Sequence, residues 1–434
     1  MIQTHVMPQL HTKNVEPVHL LEQHLLRQCK QIEEWFLAEW QKYPPPVYGS
    51  VDLRNAGFKL APIDMNLFPA GFNNLNPNFL SFAASAAKKN ILNMMPEAKR
   101  ILIIPENHTR NLFYWENIKT LQTILENAGF QIKLGTLLTD LEAPLAITLL
   151  SGEKITIHPL LRQNNQLQLS DFIPDAVLLN NDLSEGIPDI LQNLHQLLMP
   201  PPELGWSERL KSEHFQYYTK VARDFAKQFD IDPWLISPLF RHCGQVDFMH
   251  QLGLECLTIN AEILFEEIEK KYAHYNINHP PFLVVKADAG TYGMAVMTIR
   301  NVNELKSLNR KQRTRMSMSK GGQPVNRVII QEGVYTFEVV GSAQAVAEPV
   351  VYLWGDCVVG GFYRVHKERG TDENLNAPGM HFEPIAFSQP CHEPCKPVEE
   401  QDACKNRFYL YGIVAKLSML AAAREIYDQV SKIG

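Results

Sequence analysis

The sequence predicts a protein of several domains in which an α/β layer is joined to a mixed α+β region. Three observations carry that expectation. The chain has 434 residues, more than one hydrophobic core usually supports. Between residues 100 and 200, strand-like runs (ILIIP from Ile101, FQIKLGTLL from Phe130, DAVLLNND from Asp175) alternate with helical ones such as 117–128, the pattern of a largely parallel sheet. Beyond residue 200, helical stretches at 208–228 and 260–274 precede the strands FLVVK, RVIIQEG, EPVVYLW and CVVGGFYRV, which mix α and β without regular alternation.

Taken in order, the run LLEQHLLRQCKQIEEWFLAEWQKY (20–43) spaces its apolar residues as one helix, which Pro44, Pro45 and Pro46 stop. The segment SVDLRNAGFKLAPIDMNLFPAGFNNL (50–75) holds two extended stretches around the turn chemistry of Asn55, Ala56 and Gly57. Met199 followed by Pro200, Pro201 and Pro202 punctuates the chain and marks a domain boundary. The basic run KSLNRKQRTRMSMSK (306–320) reads as a solvated surface loop. A last helix over 410–430 is apolar on one side and interrupted by Lys416 and Arg424.

Composition narrows the function classes. Hydrophobic residues at 45% and charged residues at 20% are those of a soluble globular protein. A net charge of -6 argues against nucleic acid as a partner, since phosphate neutralisation needs clustered Lys and Arg. Seven scattered cysteines do not make a disulfide framework and fit a reducing cytoplasm. The first residues lack a basic start followed by an apolar stretch, and no run approaches the ~18 apolar residues of a membrane span. The expectation is a cytoplasmic protein without a membrane partner.

The strongest local signal is FLVVKADAGTYGMAVMTIR (282–300): a strand ending in Lys286, a small-residue loop, and a second strand. Gly290 and Gly293 permit backbone conformations that let amides approach phosphate oxygens, and Lys286 can meet the same oxygens. The same pattern also fits a plain hairpin with a lysine at its rim. After it, VIIQEGV (328–334) ends in Gln331, Glu332, Gly333 and Val334, whose backbone groups can face an adenine edge. CVVGGFYRV carries Arg364 at a strand end, as substrate contact or structural salt bridge, followed by DENLNAPG with Asn374 and Asn376.

This order of elements resembles the ATP-grasp ligases, the superfamily of bacterial glutathione synthetase and D-alanine:D-alanine ligase. The resemblance implies ATP contacts from Lys211 in SERLKSEHF, Lys286, Gly290, Tyr292, Gly293 and 331–334. Such ligases normally continue to a strand with an acidic metal ligand and then a Glu-x-Asn strand. Here the sequence runs instead into the last helix, and Asp52, Asp64 and Asn66 near the other end look like the missing pair, with Asp in place of Glu. The expected fold is therefore a circularly permuted ATP-grasp fold with a Rossmann-like substrate domain. Its divisions are 1–99 (first helix and metal hairpin), 100–199 (substrate domain) and 200–434 (nucleotide-binding domain). Asp64 and Asn66, two apart on a strand, share a face, and Mg²⁺ favours few protein oxygens together with nucleotide phosphates; a turn-capping pair is the alternative.

A narrower resemblance covers nearly the whole chain, to the ATP-grasp-type glutamate-cysteine ligase of proteobacteria. It rests on RNAGFKLAPIDMNLFPAGFNNL, VVKADAGTYGM, QEGVYTFE, AEPVVY, VVGGFYRVH and DENLNAPGMHF. It implies ATP and Mg²⁺, with Mn²⁺ able to substitute, and the substrates L-glutamate and L-cysteine. A homo-oligomer is left open. On this view Arg364 and Lys286 stabilise charge in the reaction, and Arg54, Lys59, Asn73, Asn74, Arg364, Asn374 and Asn376 are candidates for binding substrate. The loop 106–110, from Glu106 to Arg110, is a second candidate pocket, and either cluster is open to a reading as ordinary loop chemistry. The loop around Thr291, Tyr292 and Gly293 is expected to close over the nucleotide. Two other functions remain: a glutathione-synthetase-like ligase, and a non-catalytic nucleotide-binding protein. Cys391, His392, Cys395 and Cys404 are too irregularly spaced for a zinc site.

Overall fold

The computed structural model describes residues 10–12, 17–107, 110–290, 295–318, 322, 324–385 and 408–433. Among them the strands form four sheets, and no helix is long and apolar enough to cross a membrane. The 100–200 region builds a six-stranded sheet in the order Leu197–Met199, Ala176–Asn180, Arg100–Pro105, Gln131–Thr136, Lys154–Pro159, Leu145–Thr148, parallel except for the last. Ala176–Asn180 is buried along its whole length, as a central parallel strand covered on both faces requires. Helix Leu112–Asn127 makes the crossover, its first turn capped by Asn111, which accepts from Tyr114 N at 3.3 Å. The helix starts earlier than its periodicity suggests because Tyr114 and Trp115 are themselves core residues, 6% and 1% exposed.

A seven-stranded antiparallel sheet joins distant parts of the sequence. Its long strand Ala345–Trp354 pairs with Cys357–His366 on one side, and with both Glu338–Val340 and Tyr48–Asn55 on the other. Tyr48–Asn55 and Leu60–Asn66 are the two arms of the expected hairpin. Its turn forms because Asn55 Oδ1 accepts from Gly57 N at 2.8 Å while Gly57 takes φ 74°, open to glycine at little cost. A four-stranded antiparallel sheet, in the order Phe240–Gly244, Arg327–Glu332, Leu283–Ala287, Val296–Ile299, faces it.

Helix Phe408–Ile433 packs against helix Lys211–Phe229 and against both arms of the hairpin. The two cations that interrupt its apolar side are paired: Lys416 with Glu33 at 2.6 Å, and Arg424 with Glu39 at 2.7 Å and Asp224 at 2.8 Å. Deeper still, Arg209 and Glu425 lie 2.8 Å apart and 2% and 1% exposed.

Two expectations are corrected. The first helix is two, Val18–Arg27 and Cys29–Lys42, broken at Gln28, whose φ of -107° leaves the helical range; the bend lets both Leu25 and Ile32 reach the core with no exposure. The basic run holds a helix, Arg310–Ser317, because Asn309 and Gln312 complete a reciprocal capping box that satisfies its first amides.

Burial pushes the Glu425 carboxyl up, but Arg209 and His214 outweigh it and hold it at about 2. Its stabilising contribution is present above the ordinary carboxyl range and is lost as pH falls towards 2. Arg209→Leu is expected to cost about 3–5 kcal/mol at neutral pH by stranding that charge. Urea unfolding should show the deficit shrinking as pH drops from about 4.5 towards 2.

Candidate active site

A cleft of roughly 830 Å³, counted out to its open mouth, is walled by the two antiparallel sheets. The four-stranded sheet contributes Val284, Lys286, Val296, Thr298, Gln331 and Glu332, and the other sheet Asp52, Arg54, Ile63, Asp64, Glu348 and Arg364. Register explains the cluster of charges. Asp52 lies opposite Asp64 on one side and Val350 on the other, and Glu348 lies opposite Arg364.

The hairpin is irregular where it matters. Leu53 pairs with Pro62 and Asp52 with Asp64, so Ile63 is an extra, unpaired residue. Proline cannot donate to a ladder, and bulges gather at such places and beside active sites. The carbonyl of Ile63 accepts from Lys286 Nζ at 2.7 Å, and Gln331 Oε1 accepts from the same ammonium at 2.8 Å. Burial lowers Lys286 to about 8, against the pull of Asp64.

Asp64 receives Lys211 Nζ at 2.7 and 2.8 Å; burial raises its carboxyl, but Lys211 and Lys286 outweigh that and hold it below the usual range. Lys211 also sits 3.9 Å over the Trp206 ring. Asp52 stays raised by burial even though Arg364 reaches it at 3.0 Å. Glu348, 1% exposed, accepts from Arg54 Nε at 2.9 Å and from Arg364, and the two guanidiniums overcome its burial and keep it low.

Lys211 opens helix Lys211–Phe229, whose N-cap residue Leu210 offers no side-chain acceptor. The cap comes instead from the glycine loop. Asp288 accepts from Ser212 N and Ser212 Oγ, both at 2.7 Å, and its carbonyl accepts from Lys211 N at 2.8 Å. One carboxylate thereby fixes the helix start that bears Lys211 against the loop that bears Gly290.

The cleft brings together Asp52, Arg54, Asp64, Lys211, Lys286, Gly290, Gln331, Glu332, Val334, Arg364, Asn374 and Asn376. Other candidates fall elsewhere. Lys59 is 1% exposed and locked on Glu332 at 2.6 Å, over Trp234, so it holds the sheet rather than substrate. Asn66 ends its strand outside the cleft lining, with Oδ1 accepting from Phe68 N at 2.9 Å, the hydrogen bond expected of a turn-capping residue. Asn73 and Asn74 belong to a short turn, Phe72–Asn74, also outside the lining. The amides of Glu332 and Gly333 already bond Leu239 O at 2.7 Å and Phe282 O at 2.8 Å, so they do not offer themselves to a base edge. Glu106 is buried and accepts from Asp182 N at 3.1 Å, outside the lining too. Tyr292 and Gly293, like His108, Thr109 and the 391–404 cysteines, lie outside the described residues.

Glu348, Asp372 and Asp288 were not legible as site residues. For Glu348 a signal existed: an acid inside the apolar strand AEPVVYLW needs a buried partner. No group of three or more His, Cys, Asp or Glu able to hold a metal occurs among the described residues. Asp52 and Asp64, paired across the hairpin, both line the cleft, and the charges of Glu348 and Asp64 add to burial in raising Asp52.

A model of the glutamate-cysteine ligase family matches residues 22–426. Among solved structures, the chain is similar to a candidate gamma-glutamylcysteine synthetase from Methylobacillus flagellatus KT, with 50% identity over 98% of this chain and 99% of that one and a TM-score of 0.89. Slighter similarities reach a glutathione synthetase-like effector from Globodera pallida (10% identity, 84% of this chain and 79% of that one, TM-score 0.37) and D-alanyl-alanine synthetase A from Vibrio cholerae (9% identity, 74% and 81%, TM-score 0.33). The last two are too distant to inform the fold. No curated protein matches the chain.

Asp288→Ala should remove the cap at a cost of about 0.5–2 kcal/mol. Amide exchange at Ser212 and Glu213 is expected to quicken while that at Phe225 stays slow; unchanged exchange in the first turn would show the cap to be redundant.

Proposed function

The chain belongs to the glutamate-cysteine ligase family and is a ligase that joins glutamate to cysteine, and from that premise we propose that the cleft between the antiparallel sheets is where ATP activates the side-chain carboxylate of glutamate. The observation that carries this reading is the position of Asp64. The N-terminal hairpin sets it against Lys211 at 2.7 Å, beside Lys286, so that two cations and the acidic hairpin converge.

In this reading Lys286 and Lys211 bind the phosphates, with the Gly290 loop beside them. Gln331 Nε2, buried and without a hydrogen-bond partner among the described residues, supplies a donor aimed at bound nucleotide. Asp52 and Asp64 would hold Mg²⁺, which suits a hard cation that takes few carboxylates; bound there it supplies charge neutralisation for the phosphates. Asn66 is not assigned to it. The glutamate carboxylate attacks the terminal phosphorus, giving an acyl phosphate and ADP. Positioning and charge stabilisation dominate such a transfer. The cysteine amine then attacks the acyl carbon, passing through a tetrahedral oxyanion, and phosphate leaves.

Arg364 keeps a donor for that oxyanion: its Nε is buried and has no partner among the described residues, while Nη1 is held by Asp52 and Glu348. Arg54 is tied to Glu348, Val334 O and Glu373 O, which leaves it positioning the wall. Asn374 and Asn376 supply amides for the amino-acid substrates. The hairpin closing the C-terminal sheet supports a circularly permuted ATP-grasp fold, with 100–199 as a Rossmann-like substrate unit.

ADP release that needs both glutamate and cysteine is the expected activity. Asp64→Ala and Lys286→Ala should each lower it by about two orders of magnitude or more while the circular dichroism of the fold is retained; parental rates in either variant would remove that residue from the scheme.

Lys286 gives a pH signature. Burial holds the free ammonium at about 8, and bound phosphate favours the charged form. At about pH 9 ATP binding should therefore take up protons, and affinity should fall as pH rises through 8, whereas Lys286→Arg stays charged and takes up none. Calorimetry in buffers of different ionisation enthalpy reads the uptake, and zero uptake in the parent contradicts the assignment.

A further inference from the structure

Outside the cleft, one cluster of reactive groups has no part in the ligase scheme. Cys243, in strand Phe240–Gly244, and Cys256, in the first turn of helix Leu254–His274, bring their sulfurs to 3.2 Å. Asn260 Nδ2 lies 3.4 Å from each sulfur. Cys243 is 3% exposed, and Cys256 is exposed to solvent.

The short loop between them is built to hold this approach. Asp247 and Leu252 exchange backbone hydrogen bonds of 3.0 and 2.9 Å, and Val246 N is tied to Asn326 O at 2.9 Å. Gly253 takes φ 73° and presses so near Gln245 O that a Cβ would stand 2.4 Å from it. Strand end and helix start are thus pinned by backbone, and closing the sulfurs to the roughly 2.05 Å of a disulfide asks only for a side-chain adjustment of about 1 Å. Of the other described cysteines, Cys357 donates to Asp356 Oδ1 at 3.3 Å and Cys29 is half-buried.

We propose that Cys243 and Cys256 form a reversible thiol–disulfide exchange site for low-molecular-mass disulfides, with Cys256 as the attacking thiol and Cys243 as the resolving one. The Cys256 thiolate, its proton given to solvent, attacks one sulfur of R–S–S–R; a mixed disulfide forms and one RS⁻ leaves, taking up a proton. Cys243 loses its proton and attacks the Cys256 sulfur, which makes the internal disulfide and releases the second RSH. Two protein thiols are oxidised and one external disulfide is reduced to two thiols. The division of roles follows from access, since only Cys256 meets solvent. Burial also pushes the Cys243 thiol up to about 12, which suits a group that reacts second.

The strand that carries Cys243 pairs with Arg327–Glu332, and the residue before that strand, Leu239, exchanges hydrogen bonds with Glu332. The site therefore sits at the edge strand of the sheet that walls the cleft, and neither cysteine is part of the cleft lining.

The full-length protein, reduced and then treated with cystine, tests this by intact mass and peptide mapping. The parent should lose two hydrogens at this pair and yield a peptide joining Cys243 to Cys256. Cys243→Ser should instead keep a half-cystine adduct on Cys256, and Cys256→Ser should leave Cys243 unmodified. A parent that retains the adduct on Cys256, or leaves both sulfurs reduced, overturns the proposal. The parental map decides alone if either variant fails to fold.

Discussion

The structure depends on one backbone contact, the antiparallel pairing of Tyr48–Asn55 with Ala345–Trp354. Roughly three hundred residues of chain separate the two strands, yet only this ladder places Asp52 next to the strand that bears Glu348 and faces Asp64 towards the lysines of the other sheet. Closing so long a loop is entropically costly, and the cost is offset by burying hairpin residues such as Val51, Leu53, Leu60 and Ala61 without exposure. Helix Phe408–Ile433 then covers the back of the hairpin. The hydrophobic effect holds the fold, and the fold holds the charges.

Those charges are not there for stability. Arg54, Arg364, Lys211 and Lys286 meet Asp52, Asp64 and Glu348 in a largely desolvated wall, and ion pairs so placed return little or no net free energy. Glu332 and Asp372 also line the cleft but are taken by Lys59 and Arg300, and the four cations left against three carboxylates suit an anionic ligand, whose phosphates would replace Asp64 as the partner of Lys211 and add to the two oxygens that hold Lys286. The depressed Lys286, the raised Asp52 and the donors on Gln331 and Arg364 that find no partner among the described residues are local signs of the same frustration.

Much of this was legible in the sequence because it is written in short periods. Lys286 ahead of a glycine loop, Lys211 at a helix start and the apolar alternation of residues 100–200 are local patterns, and each lies where it was expected. What escaped depends on partners far along the chain. Lys59 looks like a free cation until Glu332 is placed 2.6 Å away. The amides of Glu332 and Gly333 look available to a base edge until Leu239 and Phe282 take them, which leaves that edge to the other backbone groups of the segment. Asn66 stays in regular register with Ser50, two places from Asp64, and so keeps the shared face that its spacing suggests; what sets it apart is local, since its Oδ1 accepts from Phe68 N and it lies outside the cleft lining. The capping of the Lys211 helix by Asp288 could not be read at all, since a cap is ordinarily sought in the residues just before the helix.

The extra residue at Ile63 carries information of an unusual kind. Ile63 serves Lys286 through its main-chain oxygen, a function any amino acid could supply, so a substitution there would leave it intact. A deletion would not: an arm shortened by one residue keeps Asp52 opposite Asp64 but leaves the lysine with Gln331 as its one remaining acceptor of the two. At this point the hairpin is constrained in length more than in identity.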